Sequence, residues 1–292
     1  MKKYGAMFFF LFAITLTVGA QERYDLWPGN APGETRKAAN VEKKPGAAIE
    51  VTNPYLLVFR PEKKTSDTCL LILPGGGYST CFYGNEGIPN ARWWNEKGIT
   101  TAVLVYRVPR PKGEPIYQRA WQDSQRAVRF LRANAAKFGY DPERIGVQGY
   151  SAGGHLTLMT ALCSQTPAYK PVDELDKLPC HVRFAIPIYP AYVLADGATG
   201  PNQENKGNNA PILDSFKFDA KTPPLCLVHG DNDIYSPMGS VAVYHQLRKM
   251  NLPCEMHIYA QAVHGFMYWN NLDNAKTWQD RCYDWLKTMK LN

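Results

Sequence analysis

Residues 149–155 read GYSAGGH, and this stretch decides the fold of the 292-residue chain. A serine, Ser151, stands midway between Gly149 and Gly153. The residues before it, RIGVQ, predict a short strand, and the residues after it, AGGHLTLMTAL, predict a helix. A sharp turn from strand to helix leaves no room for a Cβ beside the serine, and it exposes the hydroxyl at the strand end. We therefore interpret Ser151 as a nucleophile rather than as an ordinary serine in a glycine-rich loop.

Strands and helices alternate through most of the remaining chain. The apolar segments NPYLLVFRP, TCLLILP, ITTAVLVYRVP, HVRFAIPIYP, PPLCLVHG and PCEMHIYA predict strands. NARWWNEKG, the long segment IYQRAWQDSQRAVRFLRANAAKFG, residues 238–250 and residues 272–289 predict helices, while the polar residues 21–50 indicate an extended segment. This alternation predicts an α/β fold, a mostly parallel, doubly wound sheet with flanking helices, formed by residues 21–292 as one domain.

A nucleophilic serine needs a base and an acid to orient that base. Of the six histidines, His264 follows the last predicted strand directly. Sites in α/β proteins form where parallel strands end, so we predict His264 as the base. The preceding strand ends in HGDND, which offers Asp231 and Asp233 as the acid. We prefer Asp233 and keep Asp231 as the alternative, and the chain order is then serine, aspartate, histidine.

Negative charge on a tetrahedral intermediate requires fixed N–H donors. The segment LPGGGY, residues 73–78, follows a predicted strand directly. Its glycines can turn bare amides toward the serine, so we predict an oxyanion hole from the backbone N–H groups of Gly76, Gly77 and Ala152. A tight turn without this role is the alternative, and no GK[ST] sequence follows that would indicate a phosphate-binding loop.

Composition excludes several other classes of protein. A hydrophobic content of 45% predicts a sizeable core. The net charge of +7 is scattered along the chain, whereas a nucleic-acid-binding protein concentrates its basic residues on one surface. The seven cysteines show no CxxC spacing, so we expect no metal site and no cofactor.

The first 20 residues, MKKYGAMFFFLFAITLTVGA, have a basic start, an apolar run and small residues at the end. This pattern is typical of a signal peptide, so we expect an exported bacterial protein, periplasmic or secreted, without a membrane anchor after cleavage. Residues 191–222 are long, polar and rich in asparagine and glycine. Such a loop in a compact domain is usually functional, and we predict that it packs over the site.

Together these segments resemble the α/β-hydrolase superfamily. More narrowly, LPGGGY, YRVP, GYSAGGHL, HGDND and VHGF resemble the acetyl esterases of polysaccharide-degrading bacteria, which include acetylxylan and feruloyl esterases. The resemblance implies a triad of Ser151, Asp233 and His264, and removal of short acyl groups from a carbohydrate such as acetylated xylan. The chain departs from hormone-sensitive-lipase-like members, because proline stands at position 74 where they have the histidine of HGGG.

Aromatic residues near the motifs are candidates for stacking on a sugar. They are Tyr78, Tyr150, Tyr189, Tyr192 and Trp269, each of which could equally be an ordinary core or surface residue. Three other functions remain open at this point: a peptidase of the prolyl-oligopeptidase type, a lipase or feruloyl esterase, and a carbohydrate-binding protein without catalysis. The sequence leaves the oligomeric state undetermined.

Overall fold

The computed structural model describes residues 21–196, 210–269 and 272–292, except for the side chain of Trp269. The predicted signal peptide lies outside this part of the chain. The described strands are β1 (Gln21–Asp25), β2 (Asn40–Lys44), β3 (Ala47–Val51), β4 (Tyr55–Phe59), β5 (Cys69–Leu73), β6 (Thr100–Val105), β7 (Ile145–Tyr150), β8 (Phe184–Ile188), β9 (Leu225–Gly230) and β10 (Cys254–Tyr259).

Eight of these strands form the central sheet, in the order β1-β4-β6-β5-β7-β8-β9-β10. β4 pairs antiparallel with both β1 and β6, and every later pair is parallel. The inner strands consist almost entirely of buried apolar residues because helices cover both of their faces. β2 and β3 form a separate antiparallel hairpin.

Within the described residues, seven α-helices accompany the sheet: α1 (Ile88–Glu96), α2 (Gln118–Ala133), α3 (Ala135–Phe138), α4 (Ala152–Leu162), α5 (Met238–Lys249), α6 (Phe266–Trp269) and α7 (Trp278–Thr288). Side chains of β7 show which face each of two helices covers. The indole N–H of Trp94 in α1 donates to the side-chain oxygen of Gln148 at 3.0 Å, whereas a Cβ on Gly149 would meet Gly153 and Thr157 of α4. Successive residues of a strand point to opposite faces, so α1 and α4 lie on opposite sides of the sheet.

The predicted α/β fold with a mostly parallel sheet is confirmed. The prediction of an extended segment over residues 21–50 was incomplete, because this segment forms β1, β2 and β3. β1 is a half-exposed edge strand and β2 is exposed along its whole length, so neither shows an apolar pattern. The final helix begins at Trp278 rather than near residue 272.

The predicted loop 191–222 is described only at its two ends. Leu194 and Ile212 form an antiparallel bridge, and the amide of Ala195 donates to the carbonyl of Pro211 at 2.8 Å. These contacts bring the two ends together, while residues 197–209 lie outside the described part. That the segment packs over the site therefore stays a prediction. Among the described residues, no helix has the length and apolar character that a membrane span requires.

Candidate active site

Ser151 occupies the turn between β7 and α4 in a strained conformation, with φ 54° and ψ −119°. Its amide donates to the carbonyl of Ile188 at 3.0 Å, which holds the turn against β8. The neighbouring glycines are required by space: a Cβ on Gly149 would lie 2.3 Å from the carbonyl oxygen of Gly153, and one on Gly153 would lie 2.0 Å from that of Leu73. A non-glycine residue with positive φ persists only where the surroundings over-determine it.

His264 lies on the loop that follows β10, with Nε2 at 2.7 Å from the Ser151 hydroxyl. Its Nδ1 faces the carboxylate of Asp233. The ring lies between Tyr189, edge-on at 4.9 Å between centroids, and Tyr235 at 4.8 Å. These contacts fix the imidazole in the orientation in which one nitrogen meets the serine and the other meets the acid.

Asp233 is completely buried, and both of its oxygens lie 2.9 Å from Nδ1 of His264. The amide of Tyr235 donates to the same carboxylate at 2.7 Å. His229, at the end of β9, also stabilises this turn. One of its ring nitrogens contacts the Tyr235 carbonyl at 2.9 Å, and the other contacts the Ser240 hydroxyl at 2.8 Å. Asp231, the alternative acid, has an exposed side chain and makes no contact with His264 within the described residues.

The acid loop and the base loop are joined through their backbones. The amide of Asp231 donates to the carbonyl of Tyr259 at 2.9 Å, and the amide of Asn232 donates to that of Ala262 at 3.0 Å. A Cβ on Gly230 would lie 2.3 Å from the Ala262 carbonyl oxygen, so the close approach depends on glycine. The separation of the base from the acid is therefore set by strand pairing between β9 and β10.

The glycine-rich loop after β5 lies on the other side of Ser151. Gly76 has φ +127° and Gly77 has φ +63°, backbone conformations that favour glycine. The carbonyl of Gly76 accepts from the amides of Ser79 and Thr80, each at 3.0 Å, and Tyr106 donates to the Pro74 carbonyl at 2.6 Å. Within the described chain, the amides of Gly76 and Gly77 donate no hydrogen bond, which leaves them free for a ligand.

A cavity of about 370 Å³ opens over Ser151 and His264. Its lining residues are Lys44, Gly76, Gly77, Phe82, Asn85, Glu86, Ser151, Ile234, Tyr235, His264, Gly265 and Tyr268. Three of them, Phe82, Ile234 and Tyr268, are among the large apolar residues that the protein leaves exposed to solvent. The cavity thus combines a polar floor with an apolar rim, as small-molecule sites generally do.

Glu86 is a site residue that the sequence analysis missed. It belongs to a π-helical turn, Tyr83–Gly87, that precedes α1, and its side chain is buried yet faces the cavity. The amide of Gly75 donates to Oε2 at 2.5 Å, and Oε1 lies 3.2 Å from the Tyr189 hydroxyl. Burial raises the pKa of Glu86 to about 7. The available signal was a lone acidic residue shortly after the glycine loop, but sequence cannot show that it is buried.

The predicted stacking residues lie elsewhere than expected. Tyr78, Tyr150 and Tyr189 are at most 1% exposed and form no part of the cavity lining, so the assignment as substrate-stacking surfaces was wrong. Tyr78 instead contacts Nδ1 of the buried His155 at 2.7 Å, and Tyr189 packs on His264. The side chain of Trp269 lies outside the described residues.

One cluster outside the cavity has the donor types of a metal site. Cys226 of β9 with Glu255 and His257 of β10 places one sulfur, one oxygen and one nitrogen within 4.8 Å of one another. The imidazole of His257 already contacts Glu255 at 2.8 Å, and a hydrogen bond with Cys282 together with burial holds the pKa of the Cys226 thiol well above its usual range. All seven cysteines are described, and none forms a disulfide.

Residues 56–214, more than half of the chain, match the BD-FAE family. The chain belongs to that family. This match begins in β4 and ends beyond β8, so it includes the glycine-rich loop, Glu86 and the Ser151 turn.

Two relatives and one solved structure extend the comparison. The chain is 26% identical to an acetylxylan esterase of Xylanibacter ruminicola over 72% of this chain and 43% of that protein. It is 25% identical to endo-1,4-beta-xylanase B of Butyrivibrio fibrisolvens over 81% of this chain and 38% of that protein. The chain thus spans about two fifths of these relatives. The crystal structure of an acetyl ester-xyloside bifunctional hydrolase from Caldicellulosiruptor lactoaceticus matches with a TM-score of 0.72 and 25% identity, covering 95% of this chain and 99% of that one.

These findings confirm the predicted superfamily and the likeness to acetylxylan esterases. The fold is that of an α/β-hydrolase.

Proposed function

We propose that this protein is a serine esterase that removes acetyl or similarly short acyl groups from a polysaccharide such as acetylated xylan. The observation that carries the proposal is the continuous hydrogen-bonded chain from the Ser151 hydroxyl through His264 to the buried Asp233. A serine, an imidazole and a carboxylate in this order are the parts that nucleophilic acyl transfer needs.

The reaction follows from these positions. The Ser151 oxygen attacks the ester carbonyl carbon while Nε2 of His264 takes the hydroxyl proton, and Asp233 stabilises the resulting imidazolium. The negative charge on the carbonyl oxygen is stabilised by the free amides of Gly76 and Gly77 together with the Ala152 amide at the start of α4. His264 then returns its proton to the sugar oxygen as the C–O bond breaks. A water molecule, deprotonated by the same histidine, hydrolyses the acyl-enzyme.

The size and lining of the cavity support short acyl groups on a carbohydrate. At about 370 Å³ the cavity has room for an acetyl group and part of a sugar ring. The exposed rings of Phe82 and Tyr268 stand at its rim, where apolar sugar faces can pack. Two relatives whose names refer to xylan add a reason to choose this class of acylated polysaccharide first.

Export is a separate part of the proposal. Residues 1–20 carry the basic start, apolar run and small residues of a signal peptide. A polysaccharide substrate cannot enter a bacterial cell, so an exported location agrees with the proposed substrate. N-terminal sequencing of the protein recovered from outside the cytoplasm tests this: a mature terminus at Gln21 is expected, and retention of Met1 in the cytoplasm contradicts it.

The test of activity compares the wild-type protein with Ser151→Ala on p-nitrophenyl acetate, butyrate and palmitate, and measures acetate released from acetylated xylan. We expect hydrolysis of acetate and release from xylan, both lost in the variant. Preference for palmitate would indicate a lipase, faster cleavage of an alanyl anilide would indicate a peptidase, and release from methyl ferulate alone would indicate a feruloyl esterase. Two equally inert, folded proteins would leave the carbohydrate-binding alternative.

A further inference from the structure

Glu86 has no part in the proton transfers described above. It lines the same cavity as Ser151 and His264 and is only 8% exposed. A Cβ on Gly75 would lie 2.7 Å from Oε2 of Glu86 and 3.0 Å from Cβ of Ser151. The carboxyl group and the nucleophile therefore flank the same peptide, immediately before the two glycines with free amides.

We propose that Glu86 is a positioning residue for the glycine-rich loop and that it acts as the neutral carboxylic acid. The proposal rests on the esterase function proposed above. Through the Gly75 amide, Glu86 holds the base of the loop that carries the Gly76 and Gly77 donors. Its other carboxyl oxygen accepts from the hydroxyl of Tyr189, and the ring of Tyr189 packs on His264.

Two hydrogen bonds fix the carboxyl group of Glu86 between Tyr189 and the glycine-rich loop. The Tyr189 hydroxyl contacts two atoms, the Met267 sulfur at 2.8 Å and Oε1 of Glu86 at 3.2 Å. The Tyr189 hydroxyl donates to Oε1 of Glu86, and a carboxyl oxygen can accept this hydrogen bond with or without a proton on the group. Oε2 meanwhile accepts from Gly75, as the carbonyl oxygen of an acid does.

The electrostatic surroundings agree with a neutral acid. Among the described residues no lysine or arginine forms an ion pair with Glu86, and burial raises its pKa to about 7. The titratable groups that face it are His264, Tyr189, Tyr150, Tyr268, Tyr106 and Cys81, with Lys44 lining the same cavity. The tyrosines and the cysteine carry no charge near neutral pH, because burial raises their pKa values.

A neutral Glu86 also suits the reaction. The tetrahedral intermediate places a negative charge close to Gly76 and Gly77, on the loop that Glu86 supports. An ionised Glu86 beside this loop would repel the negative charge of the intermediate. In a poorly solvated site, such a unit charge lowers the rate by about tenfold or more. Glu86 in its acid form supports the loop without this repulsion.

The test compares wild type, Glu86→Gln and Glu86→Ala from pH 5.5 to 9. Glutamine reproduces the shape, the acceptor and the donor of the neutral acid but cannot ionise. We expect Glu86→Gln to keep kcat/KM for p-nitrophenyl acetate within about threefold of wild type at pH 6, and to exceed wild type by about tenfold at pH 8.5. Glu86→Ala should lose kcat at every pH with little change in KM, because the loop loses its support.

Three results overturn the proposal. Glu86→Gln as impaired as Glu86→Ala at pH 6, with native circular dichroism, would show that the anion is required. Parallel pH profiles of wild type and Glu86→Gln, or full activity of Glu86→Ala, would show that Glu86 does not act on the loop. Labelling of Ser151 by a fluorophosphonate, measured over the same pH range, gives the same comparison without an ester substrate. Absence of ester hydrolysis with intact labelling would therefore contradict the proposed esterase function and still test Glu86.

Discussion

Gly153, in the first turn of α4, approaches the carbonyl oxygen of Leu73 so closely that a Cβ on Gly153 would lie 2.0 Å from it. Leu73 ends β5, and the glycine-rich loop begins with the next residue. The contact therefore sets the distance between the helix that carries Ser151 and the loop that carries the free amides. Small residues at this position are a requirement of the site as well as of the fold.

We expect Gly153→Ala to push the glycine-rich loop away from the helix that carries Ser151. Overpacking against backbone atoms that cannot rotate away destabilises the protein by about 3 kcal/mol. A displacement of the loop by about 1 Å lowers kcat by about 100-fold. Gly29→Ala is the matched control, since no atom lies within 4 Å of a Cβ there and its φ is not positive. Thermal unfolding and ester hydrolysis measure both effects, and a fully active Gly153→Ala protein would contradict this view of the loop.

The two aspartates of the HGDND turn allow a second matched comparison. Asp233→Asn keeps the shape of the acid but removes the charge that orients and stabilises the His264 imidazolium, so kcat should fall by about 1,000-fold or more. Asp231→Asn, on the same turn with its side chain in solvent, should change kcat by less than about twofold. Equal losses in the two variants, measured with p-nitrophenyl acetate, would show that the turn as a whole rather than the Asp233 carboxylate matters.

The sequence allowed the parallel sheet, the Ser151 turn and the positions of Asp233 and His264 to be predicted, because each follows from local pattern. An apolar run followed by a glycine-rich turn indicates where a strand ends, and the carboxyl ends of parallel strands lie at one edge of the sheet. The structure places these three side chains within hydrogen-bonding distance of one another. The sequence favoured Asp233 but left Asp231 open, since the choice depends on which carboxylate the turn directs inward.

The sequence could not show which side chains are buried. Tyr78, Tyr150 and Tyr189 stand beside the motifs in sequence, yet all three are buried in the core, where Tyr189 packs on His264. Glu86 was missed for the converse reason, because an acidic residue in a polar segment is expected on the surface. Only the packing of the π-helical turn against the glycine loop brings it to the cavity.

The apolar rim of the cavity leads to a prediction about substrate size. Replacing Phe82 or Tyr268 by alanine removes a ring that is 38% exposed at the cavity mouth in each case. If these rings pack on a polysaccharide, each replacement should raise KM for acetylated xylan about fivefold, the effect of about 1 kcal/mol. KM for p-nitrophenyl acetate should stay constant, because this small ester binds at the floor of the cavity and does not contact the two rings at the rim.

Val172→Ala is the control for the rim variants, since Val172 is 49% exposed and does not line the cavity. Both substrates should be unaffected by this change. Equal effects of the rim variants on the small ester and on xylan would contradict a role in polysaccharide binding. They would instead indicate that loss of the rings disturbs the catalytic residues below.

Buried titratable groups make the stability of the protein depend on pH in two opposite directions. Burial lowers the pKa of His155 to about 3 and that of His229 to about 4. Below the ordinary histidine pKa of about 6.5 the unfolded chain binds protons that the folded protein does not, so stability falls toward low pH. Glu86 acts in the other direction, because its pKa is raised by burial to about 7.

Between about pH 4.5 and pH 7 folded Glu86 keeps a proton that the unfolded chain has lost, so this residue lowers the free energy of unfolding as pH rises, by at most about 3 kcal/mol. Above pH 7 both states are ionised and the slope ends. Glu86→Gln removes this dependence while His155 and His229 remain in both proteins and cancel. We therefore expect the difference in unfolding free energy, Glu86→Gln minus wild type, to rise over this interval and level off by about pH 8. Urea unfolding at half-unit pH steps measures it. A difference that is constant with pH would mean that folded Glu86 ionises as an ordinary exposed glutamate, and the neutral acid would then have no place in the site.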